Sequence, residues 1–300
     1  MLPVKKIYVD TKNKTSDSIS NSQFKWELPE TISLPHNTIF FVDDISIPHS
    51  WYTINQNMND RIYMQVTDIQ ILNPIFSGPK PNECRIITLT PGHYNLQQLS
   101  AEIATKANAA FANPNLATHF STSPNNTNNT ITITPLDASL MVKVLTDNDL
   151  KTGMADVSLY GWSGAWNGPT YDTSNPLDIN DIINNTEGSS SFFSQASPFT
   201  TGYVDLQPIK NIYMSSPNLG SFHTFGPTNQ RTIIKKIPVN AGNNEMIFNS
   251  VTSGNDWLDC SRQTLKTLQF ELKDAKGNVV PLNGSHVSFS LVFDKYNEEQ

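Results

Sequence analysis

Apolar side chains recur on every second position through much of this chain. In the stretch from Ile39 to Ile54, the residues Ile39, Phe41, Ile45 and Ile47 take the odd positions, one face of a strand. Phe40 and Val42 give the even face an apolar start. Asp43 interrupts the odd face, where an unpaired buried carboxylate would be costly. The pattern therefore predicts a β-bulge at Asp43-Asp44 that shifts the phase, or a buried cationic partner, with the bulge the cheaper solution.

The same alternation marks strands from Lys5 to Asp10, from Phe24 to Leu28 (closed by Pro29), and from Arg61 to Val66. Further strands are expected at Arg85–Thr90, Thr130–Thr134 and Leu140–Leu145, then at Ile209–Met214, Arg231–Ile237, Glu245–Phe248, Leu265–Lys273 and His286–Phe293. The last two read as a hairpin, with Lys276-Gly277-Asn278 as the turn signal between them. One stretch has helical spacing instead. Asn95 with Gln98 three residues on forms a capping-box pattern, and Leu99, Ile103, Ala107 and Ala110 follow on one face until Asn113-Pro114.

Residues 68 to 150 thus read as a β-α-β-β unit, and 151 to 205 as an irregular, loop-rich segment. Setting 68–205 aside leaves strands beginning near 24, 38, 61, 209, 231, 245, 265 and 286, and eight antiparallel strands in two facing sheets is the jelly-roll number. The expected fold is all-β, a single jelly-roll sandwich built from 1–67 plus 206–300, with 68–205 inserted as an α+β domain between its third and fourth strands.

Charge and composition narrow the function. A net charge of -7 over 300 residues, with basic pairs only at Lys5-Lys6 and Lys235-Lys236, argues against a nucleic-acid groove. No apolar run is long enough to span a bilayer, and the first residues show no export signal. Cys84 and Cys260 form no CxxC pair and read as free thiols. Gly161-Trp162-Ser163-Gly164-Ala165 lacks the last glycine of a nucleophile elbow and reads as a polar turn. Asp147-Asn148-Asp149 opens like a calcium loop but has neither its glycine nor its closing glutamate. Asp43 and Asp44 are adjacent on a strand, which points their side chains apart. The six histidines show no metal spacing, and His49, His93 and His286 read as surface or loop hydrogen-bonders. No catalytic, cofactor-binding or metal-ligating residues are expected, and so no enzyme.

What stands out is aromatic residues in loops, which either pack locally or mark a contact surface. Trp51 and Tyr52 are expected either to seal one end of the sandwich or to contact a neighbouring subunit. Trp162 and Trp166 are candidates for exposed contacts on the insertion. A carbohydrate- or receptor-binding β-sandwich is therefore the alternative to a structural role, and a glycoside hydrolase would need two carboxylates facing across a cleft, which nothing picks out.

Several motifs, in order along nearly the whole chain, resemble the penton (minor capsid) proteins of virophages and Polinton or Maverick elements. They are Val9-Asp10-Thr11 with Thr15 to Ser22, Val42 to Ile54, Leu89 to Tyr94, Ser216 to Leu219, Thr232 to Pro238, Ser261 to Thr267 and His286 to Leu291. No matching motif falls in 151–205. The resemblance implies a single jelly-roll subunit forming homopentamers at the five-fold vertices of an icosahedral capsid, beside a double jelly-roll major capsid protein. It implies a place in the virion, assembled inside the host cell, with a cytoplasmic viral factory as the expected site. A host receptor or glycan would be the partner of the insertion.

Overall fold

Leu268, Phe270 and Leu272 alternate with half-buried polar residues, and Phe289, Leu291 and Phe293 take every second position of the last strand; all six are at most 3% exposed. Such strands need a second sheet to cover their apolar face. The computed structural model describes residues 2–68, 83–111, 119–138, 140–152, 171–174, 176–185, 191–219, 224–250 and 256–296. They fall into two compact units, Met1–Trp51 with Ile209–Gln300, and Tyr52–Pro208.

In chain order the first unit contributes β1 (Lys6–Asp10), β2 (Gln23–Ser33) and β3 (Thr38–Pro48). The second holds β4 (Arg61–Asp68), β5 (Glu83–Thr88), α1 (Leu96–Ala110), β6 (Phe120–Asn125), β7 (Thr130–Pro135) and β8 (Leu140–Val144). It continues with α2 (Asp147–Thr152), α3 (Asn180–Ile183) and β9 (Phe199–Thr200). The chain then returns to the first unit as β10 (Asn211–Ser215), β11 (Ile233–Pro238), β12 (Met246–Asn249), β13 (Leu258–Asp259), β14 (Thr264–Lys273) and β15 (Ser288–Lys295).

The first unit is an all-β sandwich. One sheet has the order β1-β15-β3-β12, with β13 also on β3, and the other has the order β11-β10-β14-β2. Every pairing is antiparallel, and the partners nest: β1 with β15, β2 with β14, β3 with β12, β10 with β11. Nested pairing of eight strands across two sheets is the jelly-roll topology. Phe24 and Phe270 of one sheet meet Phe289 of the other at ring-centroid distances of 6.4 and 4.9 Å. These tilted and edge-on contacts bind the two sheets face to face.

Two expectations change. The eight strands include β1 and exclude the strand at Arg61, because β4 pairs with β5 and β8 inside the second unit. The units accordingly divide at 51/52 and 208/209, where 67/68 and 205/206 were expected. The expected hairpin of the last two long strands is also absent: β14 lies between β10 and β2, and β15 between β1 and β3. The turn between them does form, with Gly277 at φ +90° and the Asp274 carboxylate accepting from the backbone N–H groups of Lys276 and Asn278. It closes only a single bridge, Lys273 to Val279, after which the chain crosses to the other sheet.

The bulge forms where the alternation breaks. Phe289 faces Ile45 while Leu291 faces Val42, so β3 spends one residue more than β15 across this interval. Before the bulge Phe40 and Val42 point into the core, and after it Ile45 and Ile47 do. Ile39 and Phe41 are half-buried on the other side. Pro29 does not close its strand. It sits in an irregular stretch of β2, where the register slips between the partners of Leu265 and Thr267, and a residue with no N–H to give is tolerated at such a site.

In the second unit α1 starts on the expected capping box, Asn95 Oδ1 accepting from the Gln98 N–H (2.8 Å) and Gln98 Oε1 from the Asn95 N–H (3.0 Å). Its buried face, Leu96, Leu99, Ile103 and Ala107, joins Ile62, Met64, Val142 and Val144 of the β5-β4-β8 sheet in one core. That core also takes Phe120, Ile131 and Ile133 from a second small sheet, β6-β7-β9.

Candidate functional site

Among the described residues no group of His, Cys, Asp and Glu could hold a metal ion. Asp43 and Asp44 are both turned outward by the bulge and then diverge: Asp43 binds the Lys6 ammonium at 2.6 Å, and Asp44 accepts from Ser290 Oγ at 2.5 Å. The Asp43 carboxylate beside Lys6 raises the lysine above its usual range. Asp149 closes a capping box on Thr146, accepting from its N–H and hydroxyl while the Asp149 N–H donates back to Thr146 Oγ1. The Asp147 to Asp149 sequence is therefore the start of α2.

His49 is buried, its Nδ1 lying 2.9 Å from the Ala241 carbonyl oxygen, so it is a hydrogen-bonder of the interior and not of the surface. His286 is exposed beside Thr11, and the His93 ring meets the Tyr52 ring edge-on at 5.1 Å. Burial pushes the Cys260 thiol up to about 12, which removes it as a nucleophile at neutral pH. The side chain of Cys84 and the segment Gly161 to Trp166 lie outside the described residues.

Trp51 and Tyr52 have opposite environments. Trp51 is 1% exposed, its ring 4.2 Å from that of His49. Tyr52 is 37% exposed, and its N–H donates to Asn55 Oδ1. Trp51 is thus an interior side chain, and Tyr52 lies at the surface. Trp162 and Trp166 lie outside the described residues.

A more extended surface was not singled out by sequence reasoning. On the outer face of the β1-β15-β3-β12 sheet, Tyr8 (72% exposed) and Phe248 (66%) stand on the two outermost strands. Between them runs an open groove of about 600 Å³, lined among others by Asp10, Asp44, Ser46 and Ser288. The signal lay in the alternation itself: Tyr8 sits between the buried Ile7 and Val9, which forces it outward. Phe248 likewise follows buried Ile247.

No family model matches the chain, and a search of curated proteins finds no match either. A solved structure does. The chain is similar in fold to the crystal structure of the mavirus penton protein. The likeness covers 97% of this chain and 99% of that one, at a TM-score of 0.50 and 11% sequence identity. The quoted motifs led to the expectation of a close relative of that protein; at 11% identity the likeness shown is one of fold alone. The aligned span extends across both units.

Proposed function

We propose that this chain is a penton, the minor capsid protein that closes the five-fold vertices of an icosahedral particle as a homopentamer. In this reading it contacts a double jelly-roll major capsid protein, resides in the virion, and is assembled within the host cell in a cytoplasmic viral factory. The insertion offers a surface to a host receptor or glycan, and the chain works by assembly and not by catalysis. The observation that carries the proposal is the nested eight-strand jelly roll with a second unit inserted after its third strand, matched end to end by a virophage penton.

A five-fold ring uses two different patches of each subunit and closes on itself. A ring stable without neighbours should bury well over about 1,200 Å² per contact. Native mass measurement of the purified protein, checked by negative-stain electron microscopy, should find five copies of the 33.4 kDa chain arranged as a ring. A monomer or dimer at every concentration, also after mixing with the major capsid protein, would overturn the proposal.

A further inference from the structure

Beyond ring formation, the outer face of the β1-β15-β3-β12 sheet carries a built groove. We propose that it binds an extended polypeptide segment bearing arginine or lysine. The registers put Asp10, Ser288, Ser46 and Phe248 in one row across four strands. Three interstrand spacings make that row about 14 Å wide, with two serines as its floor and a bare aromatic ring at one end. Tyr8 and the bulge residue Asp44 stand in the next row, on either side of Ser290.

Each carboxylate of the groove has a single hydrogen-bond donor among the described residues. The Asp10 carboxylate accepts from the Lys12 backbone N–H, and Asp44 accepts from the Ser290 hydroxyl. Neither has a cation at ion-pair distance among the described residues; the nearby Lys6 ammonium is held by Asp43. A guanidinium brings five donors and no acceptor, and it stacks on aromatic faces. The protein already shows this pairing elsewhere: the exposed Phe225 ring is covered by the Arg231 guanidinium at 4.9 Å. Among the described residues Phe248 has no such cover. An anionic ligand would meet two carboxylates, and a neutral sugar would leave both charges uncompensated, so charge complementarity selects a basic peptide.

The test is fluorescence anisotropy on the full chain, with a labelled, capped hexapeptide of alternating arginine and threonine and a glutamate counterpart. The arginine peptide should bind saturably and weaken with salt. Asp10→Asn with Asp44→Asn should cut affinity at least about tenfold, and Phe248→Ala should also weaken it. Both asparagines keep an acceptor oxygen, and circular dichroism checks that each variant folds. The glutamate peptide should not bind. No binding by the arginine peptide, equal binding by the double variant, or displacement of the peptide by maltohexaose overturns the proposal. So does loss of self-association in Phe248→Ala when the wild-type oligomer ignores the peptide, since a second copy then fills the groove. Native mass measured on the same samples separates failure of the ring from failure of the groove.

Discussion

Trp51 loses nearly all of its surface, yet its indole N–H finds no acceptor among the described residues. The residue is therefore held for its bulk, because a buried donor left unpaired costs about 1–3 kcal/mol and burial of the ring must outweigh that. Replacement by alanine should remove about 3–5 kcal/mol. Phenylalanine keeps most of the ring and discards the unpaired donor, so Trp51→Phe should be milder than Trp51→Ala by at least about 2 kcal/mol. Tyr52→Ala, at a side chain more than a third exposed, should cost under about 1 kcal/mol. Urea denaturation of the three variants reads these differences. A severe Tyr52→Ala with a harmless Trp51→Ala would reverse the assignment of interior and surface. The adjacency of the two aromatics was plain in the sequence. Their opposite burial was not, because it depends on groups such as His49 whose position is set by the fold.

At the scale of the element, β3 shows how much alternation can tell. The misplaced Asp43 marked the bulge correctly, since a carboxylate on an apolar face requires either a phase shift or a cation, and this strand has both: the bulge, and Lys6 at the surface. What alternation could not give was which of the two apolar faces lay inward before the bulge, and the inward pair proved to be Phe40 and Val42. The same limit explains the missing hairpin. Val287 to Phe293 and Leu268 to Leu272 each declare a buried face, but a face does not name its partner strand, and both strands found partners far along the chain. The bulge makes a strong prediction. Deleting Asp44 removes the extra residue and leaves Phe40, Val42, Ile45 and Ile47 in strict alternation on the inward face, still opposite Leu291 and Phe289 of β15, so the deletion should leave the sandwich folded. Asp43→Ala and Asp44→Ala keep the residue count and should each cost about 0–1 kcal/mol. Thermal melts followed by circular dichroism compare the three variants, and an unfolded deletion variant would show that β3 needs the extra residue to pair with its neighbours.

For the whole molecule, the all-β jelly roll was legible in the sequence, but its eight strands were drawn with the Arg61 strand in place of β1, and the seam at 67/68 where the chain divides at 51/52. Arg61 to Val66 alternates as well as any sandwich strand, and only its partners, β5 and β8, reveal that it belongs to the second unit. The seam can be tested by excision. Removing 52–208 and joining the ends with a short glycine-serine linker leaves every strand of the nested set with its partner, so the product should be soluble and unfold cooperatively. The flexible linker adds little cost, because closure entropy grows only slowly with length. Removing 68–205 takes away both β5 and β8 and leaves β4 without either neighbour. Ile62 and Met64, buried in the intact chain, would then stand on an unpaired strand open to other copies. That variant should aggregate, as seen by light scattering at the concentration where the 52–208 excision stays clear. A soluble 68–205 deletion beside an insoluble 52–208 deletion would return β4 to the sandwich and the seam to 67/68. If the 52–208 excision also assembles to five copies, the ring contacts lie on the jelly roll alone, and the inserted unit is left free to serve a different partner.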